Sequence, residues 1–174
     1  RLVEDHVTAL VEALAAIGAA GGHETVHRAR IRGKRLRYLL EPFAGPVVFV
    51  RGPLRRLERF QDLSGELCDR YTFGRALERA AEAEAVRRAR ATLATILGGA
   101  AAPGPGPAPR WEPLARALQR ERTSRFRAAD KRYFCAAGRN RLVAGLPRTV
   151  RALSSPRLIQ TATGGTPNAP VPRV

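Results

Sequence analysis

The sequence predicts an all-α protein, a bundle of antiparallel helices. Three observations carry that expectation. Apolar residues recur at three- and four-residue spacing over most of the chain. Hydrophobic residues make up 44% of it but aromatics only 6%, and a core of Ala and Leu suits close-packed helices better than sheets. The run Val47, Val48, Phe49 and Val50 has strand character, but no second strand candidate exists to pair with it. With 174 residues the chain fits one domain or a little more, and can bury a core without disulfide or metal support.

The elements follow in order. Residues 2–17 form an amphipathic helix on Leu2, His6, Leu10, Leu14 and Ile17, ended by Gly18, Gly21 and Gly22. A second helix spans about 24–41 and stops at Pro42, which cannot sit in a helix interior. Residues 43–51 connect helices. A third helix begins after Pro53 and runs to about residue 85, with a break expected near 72–74. A fourth segment, 84–97, ends at Gly98 and Gly99. The Ala/Gly/Pro run at 100–110 reads as a linker. A further helix spans Trp111 to Phe134, and a short basic one falls within 139–153. From Ser154 onward the composition predicts a disordered tail. The expected organisation is a helical unit at 1–99, the linker at 100–110, a basic helical segment at 111–153 and the tail at 154–174.

Charge is the strongest functional signal. The chain carries 31 basic and 15 acidic residues, a net charge of +16. Lys34 and Lys131 are the only lysines, so 29 of the cations are arginines. Such a field attracts nucleic acid, acidic lipid or phosphate polymers. An Arg-favouring compositional bias explains Arg over Lys, but less well the two-to-one excess of basic over acidic groups. Cys68 and Cys135 are far apart and in no metal or redox spacing, so two free thiols are expected. No apolar run reaches membrane-spanning length, and no membrane association is expected. There is no signal peptide and no methionine, so Arg1 reads as the start of a fragment or processed product.

The second helix concentrates the charge. His27, Arg30, Lys34 and Glu41 are spaced to share one face, with Arg37 and Tyr38 flanking it. Like charges so placed repel by a few tenths of a kcal/mol per pair, which hints that an anion normally sits there. Arg grips phosphate oxygens with two parallel bonds, and Lys acts as a point charge. The competing reading is a solvated face, with some arginines paired to Glu58, Asp62, Glu66 or Asp69 on the next helix.

The run from His27 to Glu41 resembles the signature helix of CHAD domains, the conserved-histidine α-helical domains. It matches at His27, Arg30, Ile31, Lys34, Arg35, Leu36, Arg37, Tyr38 and Glu41. A second family element is matched more loosely by Phe60, Gln61, Asp62, Gly65 and Asp69, with Ser64 where the family has Leu. The resemblance covers roughly residues 1–100. It implies a fold of two similar helical halves, of which this chain resembles the C-terminal one. A missing first half could be supplied by another copy through dimerisation.

The resemblance also implies non-catalytic binding of inorganic polyphosphate. Family members are associated with polyphosphate granules, so a cytoplasmic location is implied, and they often accompany a CYTH triphosphatase. Carried over by position, His27, Arg30, Lys34 and Arg37 face phosphate, with Arg35 turned away by about one residue. Arg55, Arg56 and Arg59 could line the same groove. Tyr38 and Glu41 orient the cations, and Gln61, Asp62 and Asp69 support the helix or the ligand. A second basic stripe, Arg116, Arg120, Arg127 and Lys131, has no assigned role.

Two other functions stay open: a sequence-independent nucleic-acid binder, and a scaffold or regulatory partner of a phosphate-metabolising enzyme. Enzyme readings find little support. There is no Walker loop, no readable Ser-His-Asp set, and no thiol or carboxylate at metal-ligand spacing from His27, so no metal or cofactor is expected. His6 reads as a core or interface residue and His23 as an exposed loop residue among glycines.

Overall fold

In the computed structural model, which describes residues 1–18, 21–98, 107 and 109–153, the described residues are helical with short connections and no strand. The helices are α1 (Leu2–Ala15), α2 (His23–Leu40), α3 (Arg51–Ile96), α4 (Trp111–Ala129), α5 (Ala136–Val143) and α6 (Leu146–Leu153). The all-α expectation holds. The expected linker lies mostly outside the described residues, and the expected tail lies wholly outside them.

α1 and α2 begin and end close to where their apolar spacing and flanking glycines put them. Gly21, with φ +49°, opens the turn into α2, a backbone angle that L side chains rarely adopt. The connection at 41–50 is two 3-10 turns, Glu41–Phe43 and Val48–Val50, rather than a strand.

α3 departs from expectation. It runs unbroken over 46 residues, where a break near Thr72–Gly74 and a separate helix from 84 were expected. A single glycine costs a helix about 1 kcal/mol relative to Ala, and packing outweighs that. Gly74 is buried where Leu118 of α4 comes close.

The core draws on both ends of the sequence. Leu10 and Leu14 of α1, Leu36 and Leu40 of α2, and Leu57, Phe60 and Leu67 of α3 are fully buried. Tyr133, Phe134, Leu142 and Leu146 join the same cluster. Tyr133 meets the ring of Phe60 edge-on, with centroids 5.3 Å apart, a favoured aromatic arrangement. α4 runs antiparallel to α3. Arg70 pairs with Glu121, and Glu66 with Arg125 at 2.7 Å, so numbers rise along one helix as they fall along the other. A π-helical turn, Asp130–Phe134, ends α4 and brings two aromatic rings into the core. The expected basic helix within 139–153 is two short helices, separated at Gly145 with φ +83°.

Candidate polyanion-binding surface

α2 and α3 cross the centre of the protein antiparallel, and the two sequence elements meet there. Gly33 faces Phe60 so closely that a Cβ on Gly33 would lie 2.7 Å from the ring. One turn earlier on α2, the Arg30 guanidinium rests over Gly65, whose Cβ would stand 3.5 Å from Nε. One turn earlier again, His27 approaches Cys68. Each step back along α2 is a step forward along α3. The small residue on each helix admits the large side chain of the other, which is a physical reason for the two elements to occur together.

This meshing fixes what the cations can do. Arg30 is half-buried, and its Nε is among the buried donors without a partner. Leaving such a donor unsatisfied is unfavourable. Lys34 lies with Nζ 5.5 Å from the centre of the Tyr38 ring, and Arg37 stands 5.0 Å from the same ring. Tyr38 is exposed and holds two cations at once, each attracted to the negative face of the ring. Arg37 also lies 3.4 Å from Glu41, an ion pair one turn along. Arg35 is exposed.

The solvated-face reading anticipated neutralisation by α3, and the described ion pairs run otherwise. Arg28 and Arg37 pair with Glu24 and Glu41 at the two ends of α2, while Glu66 pairs with Arg125 of α4.

The α3 arginines divide. Arg55 and Arg59 are exposed. Arg59 has Arg56 and Tyr133 as electrostatic neighbours. At 3.6 residues per turn Arg59 stands roughly half a turn round α3 from Cys68, away from the face that α2 covers. Arg56 is tied into the fold. Its Nε donates to the Leu142 carbonyl at 3.4 Å, and a second nitrogen donates to Ala144 O. These bonds tie α3 to the end of α5. Burial, with Arg59 beside it, lowers the Arg56 pKa below the usual arginine value. These two donors serve the fold.

Among the supporting residues, Gln61 is half-buried with an unpartnered Nε2. The Gln61 carbonyl accepts from the buried Ser64 hydroxyl at 3.2 Å. Asp62 and Asp69 are exposed. In the second basic stripe, Arg116 pairs with Glu112; Arg120, Arg127 and Lys131 are exposed.

Of the histidines, His23 departs from expectation. His6 is half-buried, with Nδ1 3.0 Å from the Leu2 carbonyl oxygen. His23 is not in a loop. It is the first residue of α2, and its ring lies 5.9 Å from that of His27 and 5.5 Å from that of Tyr71. The Tyr71 hydroxyl donates to Gly21 O, which anchors the turn leading into α2. Along α2 alone His27 has no thiol at ligand spacing; the fold supplies one from α3. Ligand atoms of His23, His27 and Cys68 all lie within 4.8 Å of one another. Burial pushes the Cys68 thiol above its usual value, and nearby Arg30 partly offsets this.

Among the described residues no helix is long and apolar enough to cross a membrane. Residues 1–78 match the family model of the CHAD domain. The match takes in α1, α2 and α3 as far as Glu78 and stops short of α4. No curated protein matches the chain, and no solved structure does.

Proposed function

We propose that the chain, whose residues 1–78 match the family model of the CHAD domain, a type of domain associated with polyphosphate, binds inorganic polyphosphate through α2 without catalysing a reaction on it. The observation that carries this reading is the cluster of Lys34 and Arg37 on one exposed tyrosine ring, with exposed Arg35 and half-buried Arg30 on the same helix. Only Glu24 and Glu41, at the ends of α2, make described ion pairs with its cations. Charges left in this state favour a ligand that brings several anionic oxygens at regular spacing. Exposed Arg55 and Arg59, on the side of α3 turned away from α2, would be reached by a polymer that wraps round α3, and His27 would stand at the N-terminal end of the α2 track. A granule-associated role beside a CYTH-type triphosphatase or another phosphate-metabolising enzyme fits this reading. So does pairing with a second copy that supplies the other half of a two-fold surface.

Nucleic acid is the competing ligand, favoured by the net charge of +16. Both polymers release counterions on binding, so affinity for either falls steeply with salt. Competition separates them. With labelled duplex DNA bound, long-chain polyphosphate is expected to displace it at equal or lower phosphate concentration. Failure to displace DNA or RNA under those conditions would remove the polyphosphate reading.

A further inference from the structure

We propose that His23, His27 and Cys68 form a binding site for one zinc-class divalent cation at the corner where α2 meets α3. The two imidazoles come from positions i and i+4 of α2, which share a face. The thiol comes from the opposing turn of α3, brought there by the same antiparallel register that sets Arg30 over Gly65. Two nitrogens and a sulfur are the donor set of a borderline-soft ion that prefers tetrahedral coordination. With Zn–N near 2.0–2.1 Å and Zn–S near 2.3 Å, tetrahedral donors stand about 3.3–3.6 Å apart. The donors here lie within 4.8 Å of one another, so rotamer adjustments of about an ångström close the site.

No described hydrogen bond engages either imidazole. The surroundings suit a partly open site. Cys68 is 7% exposed, which shields the sulfur, whereas His27 is exposed and leaves the fourth position toward water. Tyr71, bonded to Gly21 O, packs against His23 and fixes the first turn of α2 on which that ligand stands. The inference does not depend on the polyphosphate reading; it withdraws His27 from the set of phosphate-facing cations, because a metal-bound imidazole is neutral.

The test uses the full chain under reducing conditions, without polyphosphate. Zn²⁺ is titrated against a chromophoric chelator, and Co²⁺ is added separately to read the absorption spectrum. The expected result is one Zn²⁺ per chain and a thiolate-to-cobalt charge-transfer band. The band persists in Cys135→Ser and vanishes in Cys68→Ala. Losing a ligand should weaken Zn²⁺ binding by more than the roughly 10–100-fold that follows loss of an outer partner of a ligand. His23→Ala and His27→Ala are expected to do so while keeping the buried thiol, which decides the matter even if Cys68→Ala fails to fold. A band that survives Cys68→Ala, or Zn²⁺ affinity unchanged in both histidine variants, would overturn the proposal.

Discussion

Two arginines one helix apart show how little a residue type says about its task. Half-buried Arg37 and Lys34 share the exposed Tyr38 ring, whereas Arg56 donates to the carbonyls of Leu142 and Ala144. Their replacements should therefore separate. The double variant Lys34→Ala, Arg37→Ala is expected to lose polyphosphate affinity by several kcal/mol at most, at about 1.5–3 kcal/mol per charged hydrogen-bonding partner. Its melting temperature should stay close to the parent's. Arg56→Met is expected to do the reverse, with a lower melting temperature and near-parent affinity. Calorimetric titration and thermal melts on the same samples check both; loss of affinity in Arg56→Met alone would reverse the assignment. Tyr71 offers a second residue-scale prediction. Burial raises its phenol above the ordinary tyrosine value, with Arg122 partly opposing. The folded state thus holds this proton more tightly than the unfolded state. Its contribution to stability is complete below about pH 10 and is lost as pH rises through the folded value. In Tyr71→Phe the alkaline loss of stability should shrink, leaving the share of Tyr133 and Cys68, which burial also raises. The sequence made His27, Arg30, Lys34 and Arg37 visible because helical spacing and motif lie along one segment. The meeting of His27 with Cys68, 41 positions on, depends on the register of two helices. No periodicity within either of them encodes it.

At the scale of the element, the glycines separate three physical situations. A Cβ at Gly74 would meet Leu118 at 3.5 Å, an ordinary contact. Gly74→Ala should therefore stabilise α3 by up to about 1 kcal/mol, the propensity gain of Ala over Gly. At Gly33 the added atom would lie 2.7 Å from the Phe60 ring and 3.8 Å from Leu10. Overpacking of that kind typically costs about 1–3 kcal/mol, so Gly33→Ala is expected to be net destabilising despite the same propensity gain. At Gly138 the obstruction is backbone, Arg132 O and Tyr133 N at 2.7 Å, and no side chain can swing aside. Denaturant melts of Gly74→Ala and Gly33→Ala should move in opposite directions; a shared direction would mean that α2 and α3 mesh otherwise. These cases also explain why boundaries were only partly readable. Gly22 and Pro42 bracket α2 with local signals, and the helix follows them closely. The expected break of α3 at Gly74 rested on a local cost that the neighbouring α4 overrides. The π-helical turn at Asp130–Phe134 has no local signature at all; it exists where Tyr133 and Phe134 reach the core.

For the whole molecule, the boundary of the family match and that of the core do not coincide. The match ends at residue 78, yet Tyr133, Phe134, Leu142 and Leu146 complete the cluster that buries Leu10, Leu36 and Phe60. A chain cut after Gly98 would expose that side of the core and lose the Glu66–Arg125 and Arg70–Glu121 pairs. It is expected to bind a hydrophobic dye and to melt without a cooperative transition, while the full chain melts sharply; an equally cooperative melt of residues 1–98 would show the first three helices to be self-sufficient.

The length of α3 has one more consequence. A compact chain of 174 residues has a radius of gyration of about 16 Å, which corresponds to a sphere about 40 Å across. A helix of 46 residues measures about 69 Å. The far end of α3 carries exposed Leu93 and Ile96, and Glu84 clasps Arg87 and Arg88 beside it. The protein is therefore expected to tumble as an elongated body: its frictional coefficient should exceed that of a sphere of its mass, and its scattering should extend at least to the length of α3.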